Sequence, residues 1–376
     1  MQAIPGVNQF MQGLSQKISF WLRQRVTRRF LLFTATYCLI LATALGSCTT
    51  QPNTSSPASP QAAASSSSPT STETKVFHVV RSKQLTGLAA MEKRGTLEKA
   101  LQPLGFTVSW DEYLAGPQQL EALNAGSLDL ALTAESPPVF AQAAGAPLVY
   151  LAATPVNGKL ISLVVPKNSS VQSVTDLKGK RVAFQKASIG HYLMVRALEK
   201  YGLKLSDIES VYLPPPDANA AFSEGKVDAW FIWEPFVSRN VQKGLARVVL
   251  DGGDGLRDTT NFYSTRREFL EQHSDVLKVF LEDLQKNEMW AKENRQAVID
   301  LLAPVTQLQP NILESVYEKT EWGVKPITEQ AINKQQAVAE KWFSLNLIPK
   351  QVDVRDGFLT PDKYAELLPK DVTTKQ

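Results

Sequence analysis

Two stretches of this chain follow one plan, and that plan constrains its fold more than any other feature. "LEALNAGSLDLALTAESP" (residues 120–137) and "ANAAFSEGKVDAWFIWEP" (218–235) each run helical pattern, glycine, two residues, aspartate, apolar strand, glutamate, proline. Gly126 precedes Asp129 by the same interval as Gly225 precedes Asp228, and the interval from Asp129 to Glu135 equals that from Asp228 to Glu234. The glycines suit the left-handed residue that closes a helix. The prolines suit a first helical turn, where no N–H is needed. A further apolar strand follows in each copy, at Leu148 and at Val248. Two lobes of like construction that face one another make a cleft, and ligands of open α/β sheets bind beyond the carboxyl ends of the strands.

The surrounding pattern agrees. Apolar runs such as "VFHVV", "FTVSW", "LVYLAAT", "LISLVV", "RVAFQ", "SVYLP" and "ARVVL" alternate with helical patterns, among them residues 85–104 and 189–201. That alternation predicts an α/β fold with mainly parallel sheets and flanking helices. Beyond Arg267 the pattern becomes long and helical, as over 274–294 and 328–345. About 300 residues follow the N-terminal region, enough that a single core usually divides.

The N-terminal region is of another kind. Lys17, Arg23, Arg25, Arg28 and Arg29 form a basic stretch with no acidic residue; an apolar run over 30–45 follows, then Gly46-Ser47-Cys48. This is the layout of a secretory signal, and its 16 apolar-run positions fall short of the roughly 20 residues that span a bilayer. "LGSC" resembles a bacterial lipobox, which makes Cys48 the lipidated first residue of a mature chain after removal of 1–47; "TRRFLL" also fits a loose twin-arginine pattern. Cys38 leaves with the signal, so no cysteine pair remains to form a disulfide. Loss of the five basic residues takes the formal net charge from +3 to −2, and nothing then suggests a nucleic-acid partner. Residues 49–74, "TTQPNTSSPASPQAAASSSSPTSTET", carry no aromatic and no aliphatic larger than alanine. Such a tract cannot offset its chain entropy by burial and reads, with Cys48, as a disordered tether over 48–75.

Ser188 and His191, in "VAFQKASIGHYLMVRALEKYGL", stand three residues apart at a helix start. They could be a nucleophile with its base, donors around an anion, or a helix cap. No G-x-S-x-G elbow is present, and an N-cap hydroxyl is already engaged by backbone N–H groups. The histidines at 78, 191 and 273 are scattered and no H-E-x-x-H occurs, so neither a metal nor another cofactor is expected. "GGDG" (252–255) is a lone turn signal, with no G-K-[ST] after it. Helix starts that follow strands offer unpaired N–H groups and the positive end of a dipole. Such starts are read at Gly116-Pro117, Ser136-Pro137, Ser188 and Glu234-Pro235. These starts favour anion binding over catalysis, and Ser188 can serve as a cap, as a donor, or as both. Trp230 and Trp233 are candidates for an apolar wall; their odd separation on a strand turns only one toward the cleft.

Four stretches carry a resemblance to a known family: "AGPQQLEALNAGSLDLALTAESPPVFAQAAGAPLVY", "VTDLKGKRVAFQKASIGHYLMVRALEKYGL", "AFSEGKVDAWFIWEPF" and "LIPKQVDVRD". The chain resembles the periplasmic aliphatic-sulfonate-binding proteins of ABC importers from Val76 to about Asp356. The resemblance implies a two-lobe, hinge-closing fold, with residues 76–160 and 262–376 in one lobe and 161–261 in the other. It also implies capture of an alkanesulfonate between the lobes and delivery to a membrane permease with its ATPase. By position it implies ligand contacts from Ser82, Lys83, Gly116, Thr133 and Glu135 on one side, from Ser188, His191, Trp233 and Glu234 on the other, and from Tyr263 near a crossover. A monomer anchored in the periplasm through Cys48 is expected. The chain departs from the family in "RSKQ", in "SIGH", and in having glutamates at 135 and 234 where aspartates are usual. Taurine or nitrate is the alternative ligand, and a thiamine-pyrimidine-synthase-like enzyme the remoter one.

Overall fold

The computed structural model describes residues 75–373. The expected signal, Cys48 and the tether up to residue 74 lie outside the described residues.

The described strands are β1 (Lys75–Val80), β2 (Phe106–Asp111), β3 (Ala131–Thr133), β4 (Leu148–Ala153), β5 (Ile161–Pro166), β6 (Arg181–Phe184), β7 (Glu209–Tyr212), β8 (Ala229–Trp233), β9 (Ala246–Asp251) and β10 (Phe262–Arg266). One lobe holds the five-stranded sheet β7-β6-β8-β5-β9. The other holds β2-β1 and β3-β10-β4, which are joined by a parallel bridge between Val79 and Leu130. Taken in order, the two lobes match strand for strand. In each, four strands run one way and one, β10 or β5, runs against them. The reversed strand is the first after the chain has passed from the other lobe.

The sequence repeat is the reason for this likeness. Asp129 N–H donates to the His78 carbonyl (2.9 Å), and the His78 N–H returns a bond to Asp129 Oδ2 (2.9 Å). Asp228 does the same with Arg181, at 2.8 Å each way. Each aspartate thus locks the approach to a strand in register with the parallel strand beside it. An arginine covers each one: Arg266 donates to Asp129 Oδ1 at 2.6 Å, and Arg181 to Asp228 Oδ1 at 3.0 Å. Gly126 and Gly225, at φ 77° and 68°, make the left-handed turns that bring the aspartates there.

The chain passes between the lobes twice, over 154–160 and 252–261, and the two passages pair with each other. Thr154 N–H donates to the Asn261 carbonyl (3.0 Å), and Gly252 N–H to the Gly158 carbonyl (3.1 Å). A Cβ on Gly158 would lie 1.9 Å from the Gly252 carbonyl oxygen, so only glycine fits there.

The helical pattern over 85–104 is broken. Gly95 at φ 61° divides it into helices Gly87–Arg94 and Thr96–Leu101. The long pattern after Arg267 gives helices Ser274–Glu293 and Glu329–Ser344, the second capped by Thr328. The first lays Phe280 edge-on to Phe77 of β1, which also stacks on Phe269. The second sends Trp342, fully buried, against the His191 and Tyr192 rings of the other lobe. None of the described helices is long and apolar enough to cross a membrane.

Candidate functional site

A cavity of about 340 Å³ lies between the lobes, at the carboxyl ends of their strands. Ser82 and Lys83 follow β1, Tyr113 follows β2, Gly116 opens helix Gly116–Ala125, and Thr133 ends β3. Ser188, Trp233 and Glu234 face them from the other lobe, and Tyr263 of β10 lines the wall between. Gln185 Nε2 donates to Gln118 Oε1 at 2.9 Å, so the first turn of helix Gly116–Ala125 and the segment leading into helix Ile189–Lys200 are tied across the cleft.

The helix starts are not equivalent. Helix Ser136–Ala143 begins with Pro137 and Pro138, which have no N–H to offer. The donor beside it is Thr133 at the end of β3, whose hydroxyl is buried and has no hydrogen-bond partner among the described residues. Glu234 fills its own helix start, with Oε2 accepting from Ser238 N–H (3.0 Å) and Oε1 from the Ser238 hydroxyl (2.8 Å). Burial raises its pKa, against the pull of those two bonds. Glu288 fills the start of helix Gly87–Arg94 in the same way, accepting from Gly87 N–H (3.0 Å) and Gly323 N–H (3.2 Å). Burial pushes the Glu288 carboxyl up to about 7.

Helix Ile189–Lys200 keeps donors. The Ser188 hydroxyl accepts from Gly190 N–H (3.1 Å) and donates to the Gln185 carbonyl (2.7 Å), so it is a cap with its proton already used. The first-turn N–H groups of Ile189 and His191 have no partner among the described residues. On the opposite wall, Gly116 packs so closely that a Cβ there would lie 2.6 Å from Pro137 Cγ. Ser82 accepts from Gln84 N–H and from the Thr86 hydroxyl, and Lys83 pairs with Glu112. Tyr263 is buried, its hydroxyl makes no hydrogen bond among the described residues, and burial raises its pKa well above the usual tyrosine value.

Two residues expected at the ligand stand behind the wall instead. The His191 ring is fully buried, stacks on Phe184, and accepts from Ala187 N–H through Nδ1 (3.3 Å). Burial, aided by the Lys186 charge, lowers its pKa to about 4, so the ring is neutral at physiological pH. The apolar residues around it on helix Ile189–Lys200 turn it inward. Glu135, also fully buried, accepts from Arg257 Nη2 (3.2 Å) and the Thr259 hydroxyl (3.1 Å). Neither lines the cavity. Trp230 and Trp233 part as strand alternation requires: Trp230 packs against Phe222 and Phe236, and Trp233 faces the cavity. Arg257, Asn261 and Trp322 also line it, none of them marked by a motif. The polar run "RDTTN" before β10 was the available signal for the first two. Among the described residues no group of three His, Cys, Asp or Glu side chains could hold a metal ion.

This geometry can be set beside known proteins. Residues 105–297 match the NMT1/THI5-like family. The chain is 41% identical over 255 residues to an aliphatic sulfonates-binding protein of Escherichia coli (strain K12), covering 68% of this chain and 80% of that protein. It belongs to that family. Among solved structures, the alkanesulfonate-binding protein SsuA of Xanthomonas axonopodis pv. citri, bound to MOPS, is 35% identical with a TM-score of 0.72, over 76% of this chain and 98% of that one. The periplasmic aliphatic sulphonate binding protein SsuA of Escherichia coli is 38% identical with a TM-score of 0.68, over 76% and 92%. The fold is the two-lobe fold of those periplasmic binding proteins, and the chain is a solute-binding protein, not an enzyme.

Proposed function

We propose that this protein captures an aliphatic sulfonate in the cavity between its lobes and presents it to the permease of an ABC importer. One observation carries the reading: the cavity is walled from both lobes and keeps hydrogen-bond donors with no partner among the described residues, the Thr133 hydroxyl on one side and the first turn of helix Ile189–Lys200 on the other. A sulfonate is anionic at any physiological pH and only accepts hydrogen bonds, so it needs convergent donors of this kind. Each charge-assisted bond contributes about 1.5–3 kcal/mol, and a few of them reach micromolar affinity. The carbon chain lies against Trp233, with Tyr113 and Trp322 completing an aromatic wall.

In this reading Thr133, Gly116 and Tyr263 line one face and the Ser188 cap orients the other. Ser82 and Lys83 shape the rim, Glu234 holds its own helix start, and Glu135 and His191 act from behind the wall. The lobes comprise 76–160 with 262–376, and 161–261; because donors come from both, binding holds them closed. The chain acts as a periplasmic monomer, cleaved after residue 47, lipidated at Cys48 and tethered through residues up to 75.

A thermal-shift panel of ethanesulfonate, butanesulfonate, taurine, nitrate and sulfate tests the ligand class. Alkanesulfonates should raise the melting temperature in a saturable way. Stabilisation by nitrate or sulfate alone would sink the reading, and a preference for taurine would reassign the substrate to an aminosulfonate. Four carboxylates on the cavity lining (Glu112, Glu234, Glu288 and Glu321) make that last arm informative.

A further inference from the structure

The cavity lining includes four cations: Arg81, Lys83, Arg239 and Arg257. Three of them are poor anchors for an anion. Arg81 is paired with Glu92 and its side chain is 39% exposed; Lys83 is paired with Glu112 and is 51% exposed. Arg239 spends its Nε–H on the Thr306 carbonyl at 2.8 Å. Arg257 differs, with a side chain only 2% exposed and three firm partners. Nη1 donates to the Asn157 carbonyl (2.7 Å), and Nη2 to Asn261 Oδ1 (2.6 Å) and Glu135 Oε2 (3.2 Å). Its Nε–H is buried and has no acceptor among the described residues.

A guanidinium desolvated to this degree does not leave a donor idle without cost. The neighbouring residues repeat the deficit. Thr133 pairs with Phe262 across β3 and β10, and Asn261, which holds Arg257, is the next residue. The unspent Thr133 hydroxyl and the unspent Arg257 Nε–H therefore lie at the same end of the same strand pair. Glu135, which would repel an anion, is behind this wall, with Arg257 as its counter-ion at the cavity side.

We propose that Arg257 is the cation that receives the ligand's acid group, with the Thr133 hydroxyl beside it. This rests on the sulfonate reading above and names the charge that reading lacked. With its Nη groups held by Asn157, Asn261 and Glu135, the buried guanidinium offers an oxyanion its charge and one directed Nε–H donor. Arg257 also grips both passages between the lobes, through Asn157 on one and Asn261 on the other. An anion drawn to Arg257 thus acts on the residues about which the lobes turn.

The test follows the Arg257 Nε–H resonance of the wild-type protein by NMR while ethanesulfonate is added, with affinity measured by calorimetry for wild type and for Arg257→Lys. Arg257 is expected to show a saturable downfield shift of the proton on Nε. The lysine variant, which keeps the charge and loses the directed Nε–H, should bind about thirtyfold more weakly, the worth of one charge-assisted bond. If wild type binds ethanesulfonate while the Arg257 resonance stays still, or while the variant binds equally well, the proposal is overturned and the sulfonate reading stands. If wild type does not bind ethanesulfonate at all, the sulfonate reading fails and this inference with it. The wild-type titration decides the matter even if the variant does not fold.

Discussion

Replacing Ser188 by alanine separates a structural hydroxyl from a ligand-binding one. In the structure this hydroxyl makes two internal bonds: it accepts from Gly190 N–H at 3.1 Å and donates to the Gln185 carbonyl at 2.7 Å. The Gln185 carbonyl keeps a second donor, Ser188 N–H at 3.3 Å, so its loss is small. Gly190 N–H is left buried with no acceptor. Loss of a serine N-cap costs about 0.5–2 kcal/mol, and the burial at this site, 2% exposure, places the expected cost at about 1.5 kcal/mol. For a folded region of this size that lowers the melting temperature by about 3 °C. Affinity for an alkanesulfonate should fall by less than about fivefold, because the proton a ligand would need is already committed and one net hydrogen bond is worth only about 1 kcal/mol. Urea unfolding and calorimetric titration of the same variant measure the two quantities. An affinity loss above tenfold with unchanged stability would refute the reasoning and return Ser188 to the ligand.

Other perturbations follow from the same geometry. Burial holds the Glu288 carboxyl at about 7 against an ordinary 4.5, so its neutral form contributes stability that is full below about pH 4.5 and lost as pH rises through 7. The stability difference between wild type and Glu288→Gln should accordingly change by about 3 kcal/mol across that window in urea titrations, and a flat difference would contradict the burial argument. Gly116→Ala forces a Cβ to within 2.6 Å of Pro137 Cγ; it should cost about 1–3 kcal/mol of stability by overpacking, and a neutral substitution would mean that the wall is soft. Gln118→Ala removes the 2.9 Å bond from Gln185 that ties the lobes. Sulfonate affinity should then fall about fivefold, the worth of one hydrogen bond, with little change in melting temperature.

Where local chemistry dictates structure, the sequence was readable. The glycine–aspartate–glutamate–proline repeat foretold two lobes of one design because the left-handed glycine and the strand-locking aspartate need only their immediate neighbours. Strand alternation separated Trp230 from Trp233 for the same reason. The reversed strands β5 and β10 were not legible, since their direction is set by where the chain re-enters a sheet rather than by any residue in them. The site was less legible still. Position in the sequence places His191 and Glu135 near the cleft, but whether they face it depends on Trp342 and Arg257, contributed from 151 and 122 residues away. Helix starts were read as donors, yet at Glu234-Pro235 the Glu234 carboxyl group already occupies the start, and at Ser136-Pro137 two prolines remove N–H groups.

A crystal structure of the protein with ethanesulfonate bound tests the central claim most directly. Sulfonate oxygens should lie about 3 Å, the length of a hydrogen bond, from the Thr133 hydroxyl and from a first-turn N–H of helix Ile189–Lys200, with the ethyl group toward Trp233. A sulfonate held by one lobe alone, or seated away from Thr133 and that helix start, would contradict it.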